Sequence, residues 1–259
     1  MVVADLHVHT TNSDGTLTLE TIPDAATAAG VGTVAITDHD RLHPDLQTPV
    51  AVVDGVTVVH GIELRVESAA GRVDLLGYGV RRTDALVDEL ARLQQDRIER
   101  ARKIVDCVED RLGVTLAVDF QPGVGRPHIA RAIDESDADY EYSDAFAELI
   151  GDDGPCYVPR EIPDFETGRD LLTDACGLVE LAHPYRYDDT EAALALTESL
   201  DAVERWYPYG REIDLRPVER AIEQYDLVAT GGSDAHDETL GVAGLDSDAY
   251  QRFRSQLRL

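Results

Sequence analysis

The stretch Val2-Val3-Ala4-Asp5-Leu6-His7-Val8-His9 decides how this chain is read. A short apolar run ends in two histidines, and residues two apart in a strand share a face, so His7 and His9 can address one ion. Asp5 has the same parity one step deeper, where a carboxylate can fix a histidine tautomer. Five further stretches station metal-type ligands in the same manner: Ser13-Asp14-Gly15, Thr37-Asp38-His39-Asp40, His60-Gly61-Ile62-Glu63, Ala182-His183-Pro184 and Gly232-Ser233-Asp234-Ala235-His236. The apolar runs 2–6, 33–37, 57–60, 178–182 and 227–231 then become candidate strands. Parallel strands alternating with helices collect functional groups at their carboxyl ends. Singly, each histidine is as well read as a structural one; as an ordered set they favour one polynuclear metal site.

Composition agrees with one soluble α/β domain. The 259 residues match the usual size of an α/β barrel, and no apolar run approaches a membrane span. No secretory leader is expected, so the cytoplasm is the default. Cys107, Cys156 and Cys176 are widely spaced and in no CxxC arrangement, so neither a disulfide nor a thiolate zinc site is expected. The 51 acidic against 23 basic residues, a net charge of −28 with Lys103 the single lysine, read as the dispersed acidic surface of a protein from salt-saturated cytoplasm. At molar salt the screening length is only about 3 Å, so such a surface would not repel an anionic substrate from a metal site.

Along the chain, 18–29 reads as the first helix, capped by Thr18 and stopped by Gly30. The runs 62–68 and 72–79 read as a hairpin or neighbouring strands, and 84–112 as a long amphipathic helix. Residues 128–150 read as two helical pieces, part of a small inserted helical subdomain over about 120–160. Further helices are expected over 165–176, 190–199, 213–225 and 247–257. Pro44 and Pro49 argue against a helix between His39 and Val56, where an irregular or very short helical connection is expected.

With these motifs in order from Asp5 to His236, the chain resembles the PHP (polymerase and histidinol phosphatase) family of metal-dependent phosphoesterases. It is most similar to the branch acting on nucleotides, including 3′,5′-bisphosphate nucleotides and 5′-phosphorylated RNA. The resemblance implies a single PHP domain over 1–259, a distorted (β/α)7 TIM-like barrel, and up to three divalent ions (Mn, Zn, Fe or Mg). It gives His7, His9, Glu63 and Asp234 to one ion. Glu63 would bridge to a second ion held also by His183, and Asp14, His39 and His236 would hold a third. Asp74 stands where the family has a further histidine, and an oxygen ligand there shifts preference away from zinc. His43 and His60 are not expected to ligate.

Clustered ions neutralise phosphoryl oxygens and acidify water, so attack by a metal-bound hydroxide is expected, with Asp234 or His236 protonating the leaving group. Arg126 and Arg186 stand where related phosphatases present phosphate-binding arginines, with His128 as a further phosphate donor. The segment Trp206-Tyr207-Pro208-Tyr209 packs in the core or rim, or stacks a base. The expected partner is a phosphorylated small molecule or short nucleic acid, with no membrane and no obligate protein partner. Two other functions stay open: a small-metabolite phosphatase of the histidinol phosphatase kind, and a non-enzymatic metal- or nucleotide-binding module.

Overall fold

The apolar runs do become strands. The computed structural model describes residues 1–259. In chain order the elements are β1 (Ala4–Val8), α1 (Ile22–Ala29), β2 (Thr33–Ile36), β3 (Val50–Val53), β4 (Val56–Ser68), β5 (Gly71–Tyr78), α2 (Asp84–Leu112), α3 (Arg126–Asp134) and α4 (Tyr142–Asp144), the last running into a π-helical turn over Ala145–Ile150. There follow α5 (Phe165–Ala175), β6 (Leu178–Leu181), α6 (Thr190–Ala195), β7 (Ala202–Trp206), α7 (Arg216–Tyr225), β8 (Val228–Gly231) and α8 (Ser247–Gln256). No helix is long and apolar enough to cross a membrane.

The chain divides into two compact units, Met1–Asp88 with Ile162–Leu259, and Glu89–Glu161. The first unit holds the whole sheet, in the order β1-β2-β4-β5-β6-β7-β8, with β3 paired to β4 off that path. This curled mixed sheet is the α/β barrel-like architecture expected, except that its strands are not all parallel: β5 runs antiparallel to both β4 and β6. Its ends meet where Val8 bridges Ala235 and the His9 N–H donates to the Ala235 carbonyl at 2.9 Å. Gly232 permits the approach, since a Cβ there would lie 2.3 Å from the His7 nitrogen. Alternate residues are buried on both faces, as with Ala35 in one apolar cluster and Val34 and Ile36 in another. Strands buried on both sides read as continuous apolar runs rather than alternating ones.

Three local expectations are corrected. Helix α1 starts at Ile22, because 18–21 close a separate turn in which the Thr21 N–H donates to the Thr18 carbonyl at 3.1 Å. The 39–56 connection contains strand β3, folded back on β4 through Asp54-Gly55, both at positive φ (44° and 87°). Asp-Gly between two β-branched runs favours a tight hairpin turn, and the prolines only delay it. Finally, 57–60 and 62–68 are one strand: β4 pairs parallel with β2 up to His60, then antiparallel with β5 from Gly61.

The second unit has its own apolar core, in which Ile104, Val108, Ile129, Ile133, Leu149 and Ile150 are buried. It also carries a Cys107–Cys156 disulfide with Cα atoms 5.6 Å apart, contrary to the expectation of free thiols. A separation of 49 residues leaves no local motif, so only the packing of this core brings the two cysteines together. Cys176 alone is free.

Candidate metal centre

Every sheet ligand expected from the sequence reaches the same end of the first unit. His7 lies in β1, His9 just beyond it, His39 after β2, Glu63 within β4, Asp74 in β5, His183 after β6, and Asp234 and His236 after β8. The candidate ligand atoms form three groups, each within 4.8 Å: His7, His9, Glu63 and Asp234; His9, Asp14, His39 and His236; and Glu63, Asp74 and His183. Glu63 is the hub. Its Oε2 lies 3.4 Å from His7 Nε2, 3.3 Å from His9 Nε2 and 2.9 Å from His39 Nδ1, and its Oε1 lies 3.1 Å from His183 Nε2. Asp234 Oδ1 approaches His9 Nε2 at 3.1 Å and His7 Nε2 at 3.4 Å, while Asp14 Oδ1 is 3.4 Å from His236 Nε2.

The donor set passes a physical test for divalent cations. His7 Nε2, Asp14 Oδ1 and Glu63 Oε2 are buried without a hydrogen-bond partner. A buried polar atom left unpaired is costly, so several facing one another need a shared counter-charge. Mixed imidazole and carboxylate donors suit zinc, manganese or iron. Burial opposes ionisation of Glu63 and Asp234, yet His39 and His7 hold Glu63 well below the usual carboxylate range, and His7 and His9 do the same for Asp234. Burial opposes protonation of His7, but Glu204, Asp234 and Glu63 raise its pKa well above normal. The pocket thus attracts positive charge, which a proton or a metal ion can supply.

Backbone strain gathers at the same place. His183, Asp234 and Asp40 have φ of 28°, 49° and 51°, a region L-residues adopt at a cost and which clusters at functional sites.

The supporting residues differ from expectation. Asp5 does not fix a histidine tautomer: its carboxylate accepts from the Ser233 N–H at 2.9 Å, the Ser233 hydroxyl at 2.6 Å and the Gly241 N–H at 2.8 Å, so it orients the loop bearing Asp234. The histidine partner is Glu204, which sequence reasoning missed. Its Oε1 lies 3.2 Å from His7 Nδ1, and its Oε2 accepts from the His183 N–H at 2.7 Å. Asp38 was also missed as a support. It gathers Thr10, Asn12 and Ser13, with the Ser13 hydroxyl at 2.7 Å, and so shapes the loop that ends in Asp14.

Below lies a second buried carboxylate, Glu180, bonded to the Tyr78 hydroxyl at 2.9 Å and to the Thr230 hydroxyl. Burial, helped by Glu204, pushes its pKa up to about 8. Both glutamates stand inside apolar strand runs, Leu178-Val179-Glu180-Leu181 and Ala202-Val203-Glu204. An acid in such a run is the signal that could have found them.

At the rim, the Tyr207 hydroxyl donates to Asp234 Oδ2 at 2.8 Å, and Arg186 Nη1 lies 3.1 Å from the same oxygen and 2.9 Å from the Tyr207 hydroxyl. Trp206 packs against the cluster containing Ala202 and Val228, with Arg205 over its ring at 4.9 Å. His60 is buried and belongs to no ligand group. Arg126 and His128 lie in the second unit, where Arg126 Nη1 donates to Asp152 at 2.6 Å and to the Ile150 carbonyl at 3.2 Å, and His128 Nδ1 accepts from the Gly125 N–H at 3.3 Å.

Asp74 faces Arg65 directly across the β4–β5 ladder. Arg65 Nε donates to Asp74 Oδ1 at 2.7 Å and Nη2 to Oδ2 at 2.6 Å, while the Arg65 N–H donates to Asp40 at 3.2 Å.

Comparison with known proteins matches residues 5–76 to the PHP domain model. The chain is 29% identical over 199 residues to a 3′,5′-nucleoside bisphosphate phosphatase of Chromobacterium violaceum (73% of this chain, 69% of the relative). It is 30% identical over 197 residues to the Escherichia coli 5′-3′ exoribonuclease Rnm (72% and 67%). It is 32% identical over 254 residues to a phosphoribosyl 1,2-cyclic phosphate 1,2-diphosphodiesterase of Eggerthella lenta (91% and 94%). The fold is that of a Bifidobacterium adolescentis crystal structure classed as a candidate metal-dependent phosphoesterase (TM-score 0.83, 24% identity, 100% of this chain and 97% of the other). A ligand cluster built on these motifs, together with relatives matched along most of their length, makes this chain a member of the PHP family and a metal-dependent phosphoesterase.

Proposed function

We propose that this enzyme hydrolyses phosphoesters of nucleotides or short oligonucleotides, such as 3′,5′-bisphosphate nucleotides or 5′-phosphorylated RNA. The observation that carries the reading is the convergence of His7, His9, Glu63 and Asp234 around partnerless buried atoms, with the Arg186 guanidinium beside Asp234. The named substrates of the C. violaceum and E. coli relatives support the substrate class. A second reading has its own support: the E. lenta relative, matched over more of its length, acts on a cyclic phosphate of ribose. The chemistry common to all three is a phosphoester borne by ribose.

In this reading His7, His9, Glu63 and Asp234 would hold one divalent ion, and Asp14, His39 and His236 a second. When bound, such ions neutralise phosphoryl oxygens and lower the pKa of water. Glu204 keeps the proton of His7 on Nδ1 and leaves Nε2 free to ligate. Asp234 turns Oδ1 to the histidines and Oδ2 to Tyr207 and Arg186. Asp234 or His236, side by side at this rim, would take the proton of attacking water and return it to the leaving oxygen. Arg186, half exposed, offers its remaining N–H groups to a phosphoryl oxygen.

The test is hydrolysis at molar salt, suited to the acidic surface, with added manganese. It compares adenosine 3′,5′-bisphosphate, mononucleotides, 5′-phosphorylated RNA, phosphoribosyl 1,2-cyclic phosphate and histidinol phosphate. Turnover of the bisphosphate or the RNA is expected to lead. Turnover of histidinol phosphate alone would overturn the substrate class, and none at all with under one ion per chain would favour a binding module.

A further inference from the structure

We propose that Arg65, clamped by Asp74, takes the place of a third divalent ion, so that the chain binds ions in two groups and offers phosphoryl oxygen a guanidinium in the third. The inference rests on the metallophosphoesterase reading above.

The three groups are not chemically equal. In the first two, carboxylate oxygens, Asp14 Oδ1 and Glu63 Oε2, lack partners together with His7 Nε2, whereas in the third the atom without one is a histidine nitrogen, His183 Nδ1. In the third, both Asp74 oxygens already accept short bonds from one guanidinium, at 2.7 and 2.6 Å, and Asp74 is 1% exposed. A bidentate guanidinium–carboxylate pair is among the strongest hydrogen-bonded arrangements available to side chains. An ion entering between Asp74, Glu63 and His183 would have to displace the cationic partner of a buried carboxylate or sit beside it. Either is unfavourable, since the first breaks two charge-assisted bonds to Asp74 and the second sets like charges side by side.

The pair is also fixed from several sides. Arg65 and Asp74 are directly opposed in the ladder, the arrangement in which cross-strand side chains meet. The Arg65 N–H donates to Asp40, the Asp74 N–H donates to the Tyr187 hydroxyl at 2.8 Å, and the Asp74 carbonyl accepts from the Ala182 N–H at 3.0 Å. Asp74 Oδ2 nonetheless stays 3.8 Å from His183 Nε2, which is itself 3.1 Å from Glu63 Oε1. The positive charge therefore stands at the margin of the Glu63 hub, where a third ion would otherwise supply it.

Arg65 keeps a use for its remaining donors. Nε and Nη2 are spent on Asp74, whereas Nη1 has no protein partner, and the side chain is 37% exposed. Glu63 and Arg65 share parity on β4, so the guanidinium belongs to the face that carries the hub. The chemical class it fits is a phosphoryl oxygen of a bound substrate.

The test counts ions. Wild-type protein and the R65M/D74H double variant are equilibrated with excess manganese in high salt, desalted, and assayed by inductively coupled plasma mass spectrometry. Two ions per chain are expected in the wild type and three in the variant, where an imidazole replaces the occupied carboxylate. Three in the wild type, or equal counts in both, would overturn the inference. A second measurement needs no gain of metal: inorganic phosphate is titrated by calorimetry into the manganese-loaded wild type and R65M/D74N, which leaves no lone buried charge. The variant is expected to bind phosphate roughly 10-fold more weakly with an unchanged ion count; equal affinity would overturn the phosphoryl contact. Three ions with normal hydrolysis sinks this inference alone, whereas no ions and no hydrolysis sinks the metal-centre reading and this with it.

Discussion

The mouth of the sheet and its floor both bury carboxylates, but they treat them in opposite ways. At the mouth, Glu63, Asp234 and Asp14 face histidines, and atoms such as Glu63 Oε2 have no hydrogen-bond partner. On the floor, Glu180 is bonded to Tyr78 and Thr230, and Glu204 to His7 and His183. Buried acids alone mark neither catalysis nor structure. The difference lies in which lone pairs the protein leaves unanswered.

The largest effect should come from emptying the mouth. His9→Ala or Asp234→Ala is expected to lower kcat by more than ~1000-fold, beyond the 10–100-fold typical of supporting partners, with unchanged thermal unfolding of the metal-free protein. Wild-type turnover in His9→Ala would break the contrast outright. Next comes the link between mouth and floor: Glu204→Gln keeps shape but removes the charge that faces His7 Nδ1. Metal affinity, read by chelator competition, should fall about 10- to 100-fold, and unaltered affinity would make Glu204 a floor residue only.

At the rim, Arg186→Ala should raise KM about 10-fold and leave kcat within a few-fold, the signature of lost binding rather than lost chemistry. A kcat collapse with steady KM would instead place Arg186 in the transition state. The smallest effect belongs to the floor. Glu180 has its pKa raised to about 8 from 4.5, so the folded state prefers the proton. Its contribution to stability is complete below pH 4.5 and is lost as pH climbs towards 8. Denaturant unfolding should show the wild type losing roughly 1–3 kcal/mol relative to Glu180→Gln across that interval. Parallel pH profiles would contradict the assignment of a neutral carboxyl there.

The gathering of the candidate ligands was legible because strand parity and apolar runs are local properties. His7 with His9, and Asp234 with His236, needed only alternation. Glu204 was not read, because its partner His7 is 197 residues away and nothing nearby requires that pairing. Asp74 does gather with Glu63 and His183, but its pairing with Arg65 follows from the Ser68–Gly71 closure of the hairpin, which sets the two directly opposite and which motif comparison alone does not reveal. Strand β3 was hidden by two prolines that drew attention from Asp54-Gly55. The disulfide depended on the packing of an entire helical core, which no spacing rule encodes.

Strand β4 exchanges neighbours at Gly61, two positions before the hub glutamate. Side chains alternate along a strand, so a single-residue insertion or deletion between that glycine and Glu63 would swing the carboxylate to the outer face. Drift in this enzyme can therefore swap amino acids along β4 or lengthen distant loops, but it cannot change the number of residues leading into Glu63 without dismantling every group that shares it.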